Sequence, residues 1–459
     1  MSALHRPIAR AVPAASTRAA GRAVARRGWL TFVLVLGSVT ALHAAATEPS
    51  LRELMEQNRL LREQAQRQQV QLEELKSRVE RLARESADRE LDARDQGARS
   101  LEQSPASEPR RGKIIVSGMG SLNFFAGQSR NKYSNREFRV DEARLFVEAE
   151  VRPATFLYGE LILSQREALN ENFQLGEYYL EQENILGDLL EPRLLNLRAG
   201  RIAVPFGEEY QVRSPVRNPL ITHSVTDFWG VDEGIALYGE KGGVSYAFAV
   251  QNGGISRMRD WHKDKALVGR IGWNLTPALY LSTSAMRTGK LDAAHEFGSE
   301  VWIGNAVFRS VGQPATTRTF EADLGQVDLR WRARGGHVAG AIGTGRYRDD
   351  DVSANNRRTF DFFQIEAAHD VIGRVYAAAR YSELRTDRGY YLAGLGSFGD
   401  YFLGNTLTRK ISRLGVGGGY RFSGDLNLKF EYTFENARRM DGSLRPDEDQ
   451  FAAELAVKF

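Results

Sequence analysis

One segment of the chain alternates charged and apolar residues, so that its charges would share one face of a β-strand. The charged members are Asp328, Arg330, Arg332 and Arg334. The residues that alternate with them are Val327, Leu329, Trp331 and Ala333. A row of charges beside water creates a field across that water, and an excess of one sign selects ions. The chemistry predicted here is steering and filtering, in which no bond is made or broken.

Two further groups of charges fit the same chemistry. Arginines stand on the polar faces of other alternating segments: Arg144, Arg198, Arg270, Arg380, Arg413 and Arg421. A long polar stretch, residues 202–233, carries or adjoins the second group: Arg201, Glu208, Glu209, Arg213, Arg217, His223, Asp227, Asp232 and Glu233. Any one of these arginines also fits an ordinary solvated position. Taken together they predict the lining of a water-filled space.

The sequence offers little for enzymatic chemistry. Its histidines from His223 to His369 show no metal-ligand spacing, and neither a Ser-His-Asp set nor a glycine-rich phosphate loop is present. The absence of cysteine excludes disulfides, zinc–thiolate sites and iron–sulfur clusters. We therefore expect no enzyme, no metal and no cofactor. A barrel hydrolase, whose residues converge from different strands, remains the alternative in this class.

The net charge of +4 comes from the first residues of the chain. Six arginines lie within residues 1–46, which contain no acidic residue, and without them 56 basic residues stand against 58 acidic ones. A nucleic-acid partner is therefore not expected. Residues 29–46, WLTFVLVLGSVTALHAAA, follow a basic flank and end in small residues, which predicts a secretory signal peptide over residues 1–46. A membrane anchor is the alternative, although the apolar run is shorter than the ~20 residues of a spanning helix.

Residues 51–90 show a heptad repeat without glycine or proline. Leu54, Leu61, Leu75 and Leu82 recur at one core position, where Gln68 also falls. The pattern predicts a self-associating coiled coil over residues 50–91, with a solvated single helix as the alternative. Residues 92–112 are polar and contain two prolines, which predicts a flexible linker before a domain that covers residues 113–459.

From residue 113 onward, segments with a period of two replace the helical pattern. The connections between them are alternately short and long. Short turns fall at residues 152–154, 241–243, 276–278, 334–336, 369–373 and 423–425, and a somewhat longer one at 184–192. Long stretches fall at residues 126–137, 202–233, 253–264, 288–319, 348–357, 386–407 and 436–447. This alternation is typical of an up-and-down barrel and not of a Greek-key sandwich.

The pattern predicts an all-β transmembrane fold, a 16-stranded antiparallel up-and-down β-barrel behind the N-terminal coiled-coil helix. The strand count is even only if residues 300–308, EVWIGNAVF, belong to a loop and not to the wall. The last segment, FAAELAVKF, ends on Phe459 and would close the barrel against the first strand.

Local motifs add a resemblance to a known family. Residues 195–210, LNLRAGRIAVPFGEEY, run through Gly200 into a turn of Pro205, Phe206 and Gly207, and residues 230–240, GVDEGIALYGE, form the return strand. With the signal peptide, the coiled coil and the terminal Phe459, these motifs resemble trimeric bacterial outer-membrane porins, most nearly the phosphate-selective porin O and P family. The chain departs from that family in having few lysines on its polar faces, so phosphate specificity is not expected.

The resemblance implies a homotrimer in the outer membrane of a Gram-negative cell, with the coiled coil in the periplasm and outer-membrane lipid around the wall. It also implies that the barrel-assembly machinery recognises the C-terminal strand. Small anionic or polar solutes would diffuse through the barrel, and residues 202–233 would fold inward to narrow it. Arg213 and Arg217 would then face Arg330 and Arg332, which favours anions, while the acidic residues of the loop oppose that preference. An outer-membrane anchor or adhesin is the alternative function.

Overall fold

The computed structural model describes residues 114–164, 173–189, 193–212, 214–228, 230–253, 260, 263–292, 318–350, 357–397, 400–401 and 406–459. The predicted signal peptide, coiled coil and linker, and residues 300–308, lie outside these ranges. None of the helices in the described ranges is both long enough and apolar enough to span a membrane.

The described chain is almost entirely β-structure. Its strands are β1 Ile114–Gly127, β2 Glu137–Arg152, β3 Thr155–Ser164, β4 Gln174–Gln182, β5 Asn196–Ala203, β6 Val231–Lys241, β7 Val244–Gln251, β8 Ala266–Thr276, β9 Leu279–Arg287, β10 Leu291–Asp292, β11 Thr319–Ala333, β12 Gly336–Asp349, β13 Arg358–Ile372, β14 Val375–Tyr390, β15 Thr408–Arg421, β16 Leu426–Arg439 and β17 Gln450–Lys458. The two described helices are a single turn each, a 3₁₀-helix at Gly187–Leu189 and an α-helix at Glu209–Val212.

The strands form one closed antiparallel sheet. Apart from β9 and β10, each strand pairs with its neighbours along the chain, and β1 also pairs with β17, where Met119 lies opposite Lys458. Both β9 and the two-residue β10 pair with β11, so β10 continues β9 and the wall has sixteen strand positions. Backbone hydrogen bonds of 3.1 and 2.9 Å between Gly118 and Phe459 complete the closure. The predicted 16-stranded up-and-down barrel is thus confirmed.

Short and long connections alternate as the sequence predicts. Gly242 and Gly243 alone join β6 to β7, and both have positive φ, 60° and 82°, which glycine adopts without steric cost. The other tight turns lie at the same end of the barrel, which we call the short-turn end. The connection between β5 and β6 lies at the opposite, long-loop end. We call residues 204–230 the third loop.

The two faces of the wall differ in polarity. On β16, Phe430 and Tyr432 are 48% and 37% exposed, whereas Glu431 and Thr433, which alternate with them, are 1% and 0% exposed. The same alternation runs through β8, where Leu267 and Ile271 are exposed and the polar residues face inward. Four aromatic residues on the outward face of the short-turn end are between 44% and 73% exposed: Trp273, Trp331, Phe422 and Phe459. An apolar outer face with an aromatic belt is typical of a barrel that stands in lipid.

Candidate pore constriction

The third loop lies inside the barrel. Phe206, Leu220 and Ile221 are buried, and the loop's hydrogen bonds run to wall side chains such as Ser284 and Glu431. These wall residues alternate with exposed apolar ones and therefore face inward. The loop leaves β5 at the long-loop end, crosses the interior and returns to β6.

The start of the third loop is held by its own charge. The amide of Gly207 donates to Ser284 Oγ at 3.1 Å, and the amide of Glu208 donates to Asp328 Oδ1 at 3.4 Å. The Glu208 carboxylate then bridges two wall guanidiniums, Arg270 by a close ion pair and Arg330 at 3.2 Å. This group, which we call the first anchor, therefore holds two cations and two carboxylates.

Apolar contacts support the first anchor on the side of the long-loop end. Phe228, near the end of the loop, packs edge-on against Phe206 at 6.5 Å between ring centroids and against Phe362 at 4.9 Å. Phe360 lies 5.6 Å from the same ring. These aromatic rings belong to a larger buried apolar cluster that includes inward-facing residues of β12 to β14. The loop is thus packed on the wall as well as bonded to it.

The middle of the third loop is held by two side chains of β16. The Lys429 ammonium group donates to the carbonyl oxygens of Pro215, Asn218 and Leu220 at 2.7, 3.3 and 3.3 Å. The Glu431 carboxylate accepts from the amides of the two following residues, Ile221 at 2.6 Å and Thr222 at 2.7 Å, and from the Thr222 hydroxyl at 2.5 Å. We call this group the second anchor. Both wall side chains are buried, and Lys429 also forms a close ion pair with Glu454.

Two of the predicted lining arginines extend the second anchor. Arg380 Nη1 donates to the Thr222 carbonyl at 2.5 Å, and Arg413 Nη1 donates to the His223 carbonyl at 2.8 Å. Each is also paired with a wall carboxylate, Arg380 with Glu366 by a close ion pair and Arg413 with Glu435 at 2.6 Å. These arginines therefore brace the loop.

The remaining lining arginines are largely neutralised by wall carboxylates. Arg144 pairs with Glu160 at 3.0 Å and Arg198 pairs with Glu181 at 3.0 Å. The Arg198 guanidinium also lies between two tyrosine rings, with its carbon 4.9 Å from the Tyr179 centroid and 4.6 Å from that of Tyr238. Arg421 pairs closely with Asp370 and lies over the Tyr376 ring at 4.2 Å. Arg332 is partly exposed on the same face of β11 as Arg330.

Two residues predicted at the constriction face the other way. Arg201 pairs with Glu233 at 2.9 Å and lies opposite the exposed Tyr178 in the register of β4 and β5. Glu233 shares the face of the exposed Ile235. Both side chains therefore lie on the outward face, and the expectation that they line the pore is wrong. The sequence pattern does not reveal this, because the ends of β5 and β6 that carry Arg201 and Glu233 are as polar as the loop between them.

The other predicted constriction residues are distributed as follows. Asp232 faces inward but is buried, and it accepts a hydrogen bond from the amide of Gly253. Glu209 accepts from the Ser224 amide at 3.0 Å and so joins two parts of the loop. Arg217 lies in the turn at residues 215–217, beside the carbonyl that Lys429 binds. Arg213 lies outside the described residues.

Comparisons with known proteins give structural likeness without close relatives. No family model matches the sequence, and no curated protein matches it. The OmpT outer membrane protein of Vibrio cholerae, solved in a trimer form, is 9% identical with a TM-score of 0.48 over 76% of this chain and 100% of its own. The outer membrane channel DcaP of Acinetobacter baumannii is 11% identical with a TM-score of 0.49 over 77% of this chain and 99% of its own. An anion-selective porin from Comamonas acidovorans is 10% identical with a TM-score of 0.47 over 76% and 99%. The closed barrel and the position of the third loop inside it are therefore established by the strand pairing and side-chain contacts described above.

Proposed function

We propose that the protein is an outer-membrane porin through which small hydrophilic solutes and ions diffuse passively. The observation that carries the proposal is the closed barrel whose outward face is apolar, whose inner face is charged and whose third loop is fixed across the interior. An apolar exterior requires lipid, and a charged interior requires water. A loop that several buried charges hold in one position narrows such a channel, and its thermal motion is too restricted to close the channel.

The assembly that we propose is a homotrimer, with residues 50–91 bundled as a periplasmic coiled coil beneath the barrels. The heptad repeat of that segment supports self-association. The wall is closed by the pairing of β1 with β17 and needs no residue of the heptad segment. Removal of residues 51–90 should therefore leave a conducting barrel.

The selectivity that we propose is a weak anion preference set by the third loop. The first anchor contains two cations and two carboxylates, so it contributes little net charge. Arg213 and Arg217 are then the loop cations that decide the ion selectivity. A small net charge in a narrow, poorly hydrated passage strongly affects which ions enter it.

Planar-bilayer recording tests both the channel and its selectivity. The full-length protein should conduct, and its reversal potential in a salt gradient should indicate anions. Replacing both Arg213 and Arg217 with glutamate should shift that potential toward cations. Arg438→Glu makes the same kind of change on the exposed outward face of β16 and should not. An unchanged potential in the double variant would overturn the proposed role of the loop arginines.

The alternative, an anchor or adhesin, is separated by liposome swelling. A porin admits small sugars into liposomes, whereas an anchor with a sealed barrel does not. Absence of both swelling and conductance in correctly folded protein would reject the porin.

A further inference from the structure

A second connection enters the barrel from the long-loop end. It joins β14 to β15 and begins with residues 391–397, which we call the outer segment. Leu392 and Leu395 of this segment are 8% and 3% exposed. The amide of Leu395 donates at 2.6 Å to the carboxylate of Glu435, an inward-facing residue of β16. Because β16 ends at Arg439, four residues beyond Glu435, the outer segment reaches about 13 Å along the strand into the barrel.

The outer segment is held by one cation and one carboxylate. Arg445, from the connection between β16 and β17, donates to the carbonyl oxygens of Leu392 at 2.6 Å and Ala393 at 2.7 Å. Glu435 accepts from the Leu395 amide on the other side. The side chains of Arg445 and Glu435 are fully buried. The second anchor holds the third loop with the same chemistry, a cation on carbonyl oxygens and a carboxylate on amides.

Arg445 is itself bonded to several elements. It pairs with Glu448 at 2.5 Å and donates to the Thr408 hydroxyl at 3.2 Å. Its guanidinium carbon lies 3.5 Å from the centroid of the Tyr401 ring. The Asn131 side chain, from the connection between β1 and β2, donates to the Glu448 carbonyl at 2.6 Å. Three connections at the long-loop end therefore form one block, and the outer segment is a fixed part of it.

Glu435 also links the outer segment to the third loop. Its second carboxylate oxygen accepts from Arg413 Nε at 2.7 Å, and Arg413 donates to the carbonyl of His223 in the third loop at 2.8 Å. Along β16, Glu435 lies four residues, about 13 Å, nearer the long-loop end than Glu431 of the second anchor. A solute that enters from the long-loop end therefore meets the outer segment before the third loop.

The two segments differ in charge. The outer segment, YLAGLGS, contains no charged residue, and its half-buried members Ala393, Gly394 and Ser397 are small. The third loop carries charges at half-buried positions such as Glu208 and Arg217. A narrowing without charge discriminates by size, whereas a charged one also discriminates by the sign of an ion.

We propose that the outer segment is a second, uncharged constriction that sets the largest solute admitted, with Arg445 and Glu435 as its positioning residues. The third loop then sorts by charge the solutes that the outer segment has admitted by size. Because the two narrowings lie in series, the size limit and the ion selectivity change separately. The inference rests on the proposed function, since only a channel has a size limit for solutes.

The first test loosens the outer segment without changing the net charge. The full-length variant Arg445→Met/Glu448→Gln removes both hydrogen bonds to the segment together with the ion pair. In liposome swelling, the rate for the trisaccharide raffinose relative to glucose should rise about threefold or more. The reversal potential in a salt gradient should stay at the parent value. The matched control, Arg201→Met/Glu233→Gln, removes an ion pair from the outward face and should change neither quantity.

The second test acts in the opposite direction and leaves both positioning residues in place. Ala393→Trp adds a large side chain at a half-buried position, while Arg445 can still bind the carbonyl of residue 393. The raffinose-to-glucose ratio should fall about threefold or more. Ala377→Trp on the exposed outward face of β14 is the control and should leave the ratio unchanged.

Two results would overturn the proposal. One is a raffinose-to-glucose ratio that is unchanged in both Arg445→Met/Glu448→Gln and Ala393→Trp, which would show that the outer segment does not limit size. The other is a shifted reversal potential in Ala393→Trp, which would show that size and charge are not sorted separately.

Amide hydrogen exchange distinguishes a failure of this inference from a failure of the porin function. The Leu395 amide should exchange about tenfold or more faster in Arg445→Met/Glu448→Gln than in the parent protein. If the parent admits no sugar but this difference is found, the outer segment is held as described and the porin function alone is contradicted. Fast exchange at Leu395 in the parent would overturn the fixed outer segment, whether or not the protein conducts.

Discussion

The third loop is attached to the wall at two places that are built in opposite ways. At the first anchor the loop supplies the charge, since Glu208 reaches out to Arg270 and Arg330 on the wall. At the second anchor the wall supplies the charges, since Lys429 and Glu431 reach in and bind backbone groups of the loop. The first attachment depends on a loop side chain, and the second depends on the loop's backbone path.

This difference separates two tasks, which are fixing the position of the loop and setting the charge beside the channel. Backbone groups are the same in every sequence, so the second anchor fixes the position of the loop whatever side chains it presents. The second anchor requires a buried lysine and a buried carboxylate. Their desolvation is unfavourable and is tolerated only because both side chains are hydrogen-bonded or ion-paired. At the first anchor, Glu208 is the carboxylate that the loop contributes, and its loss would leave one wall guanidinium without a balancing charge. We therefore expect changes at the second anchor to alter folding and loop order, and changes at the first to alter ion selectivity.

The largest effect is expected for Lys429→Met. It removes three hydrogen bonds to the loop and leaves the buried Glu454 without its cation. Breaking a buried ion pair costs about 3–5 kcal/mol. The temperature at which the barrel unfolds should therefore fall clearly, and it can be measured as the temperature at which a heated sample changes its migration on a denaturing gel. The double variant Lys429→Met/Glu454→Gln should recover part of the loss. A double variant no more stable than the single one would show that the ion pair is not the source.

A smaller and more local effect is expected for Glu431→Gln. The amides of Ile221 and Thr222 would share one neutral acceptor in place of a carboxylate. A loss of about 3 kcal/mol in local stability corresponds to roughly 100-fold faster amide hydrogen exchange at these positions. Glu181→Gln is the control, because it removes a carboxylate from the inward face that is bonded to Arg198 and Tyr238 and not to those amides. Protection that is unchanged in Glu431→Gln would mean that the loop is held elsewhere.

The fold could be predicted from the sequence because it depends on repetition. Each strand repeats the same alternation, and an error in one segment is corrected by the next. The second anchor could not be predicted, because Lys429 and Glu431 look like any other members of the polar face of β16. Only the folded path of the loop, more than two hundred residues earlier in the chain, gives them their role. A lysine on the polar face of β16, within a lining rich in arginine, was the available signal.

The first anchor is tested by Glu208→Gln. This change leaves Arg270 and Arg330 in place and removes the carboxylate that they share. One unit of charge at a few ångströms is worth about 1 kcal/mol at a hydrated site, so the anion-to-cation permeability ratio should rise about fivefold. The measurement is the reversal potential in a salt gradient, with Glu321→Gln on the outward face as the control. A shift toward cations would contradict the assignment of Glu208 to the channel.

The smallest effect is expected for Glu233→Gln. This variant compares the outward ion pair of Arg201 and Glu233 with the first anchor. Arg201 would keep its hydrogen bonds to the carbonyl oxygens of Leu175 and Gly176, at 3.1 and 2.8 Å, and a partly exposed ion pair contributes at most about 1 kcal/mol. Stability should hardly change. The reversal potential should not change at all, because the wall separates this charge from the channel. The same charge is removed in Glu233→Gln and in Glu208→Gln, so equal shifts in the two variants would mean that Glu233 faces the pore.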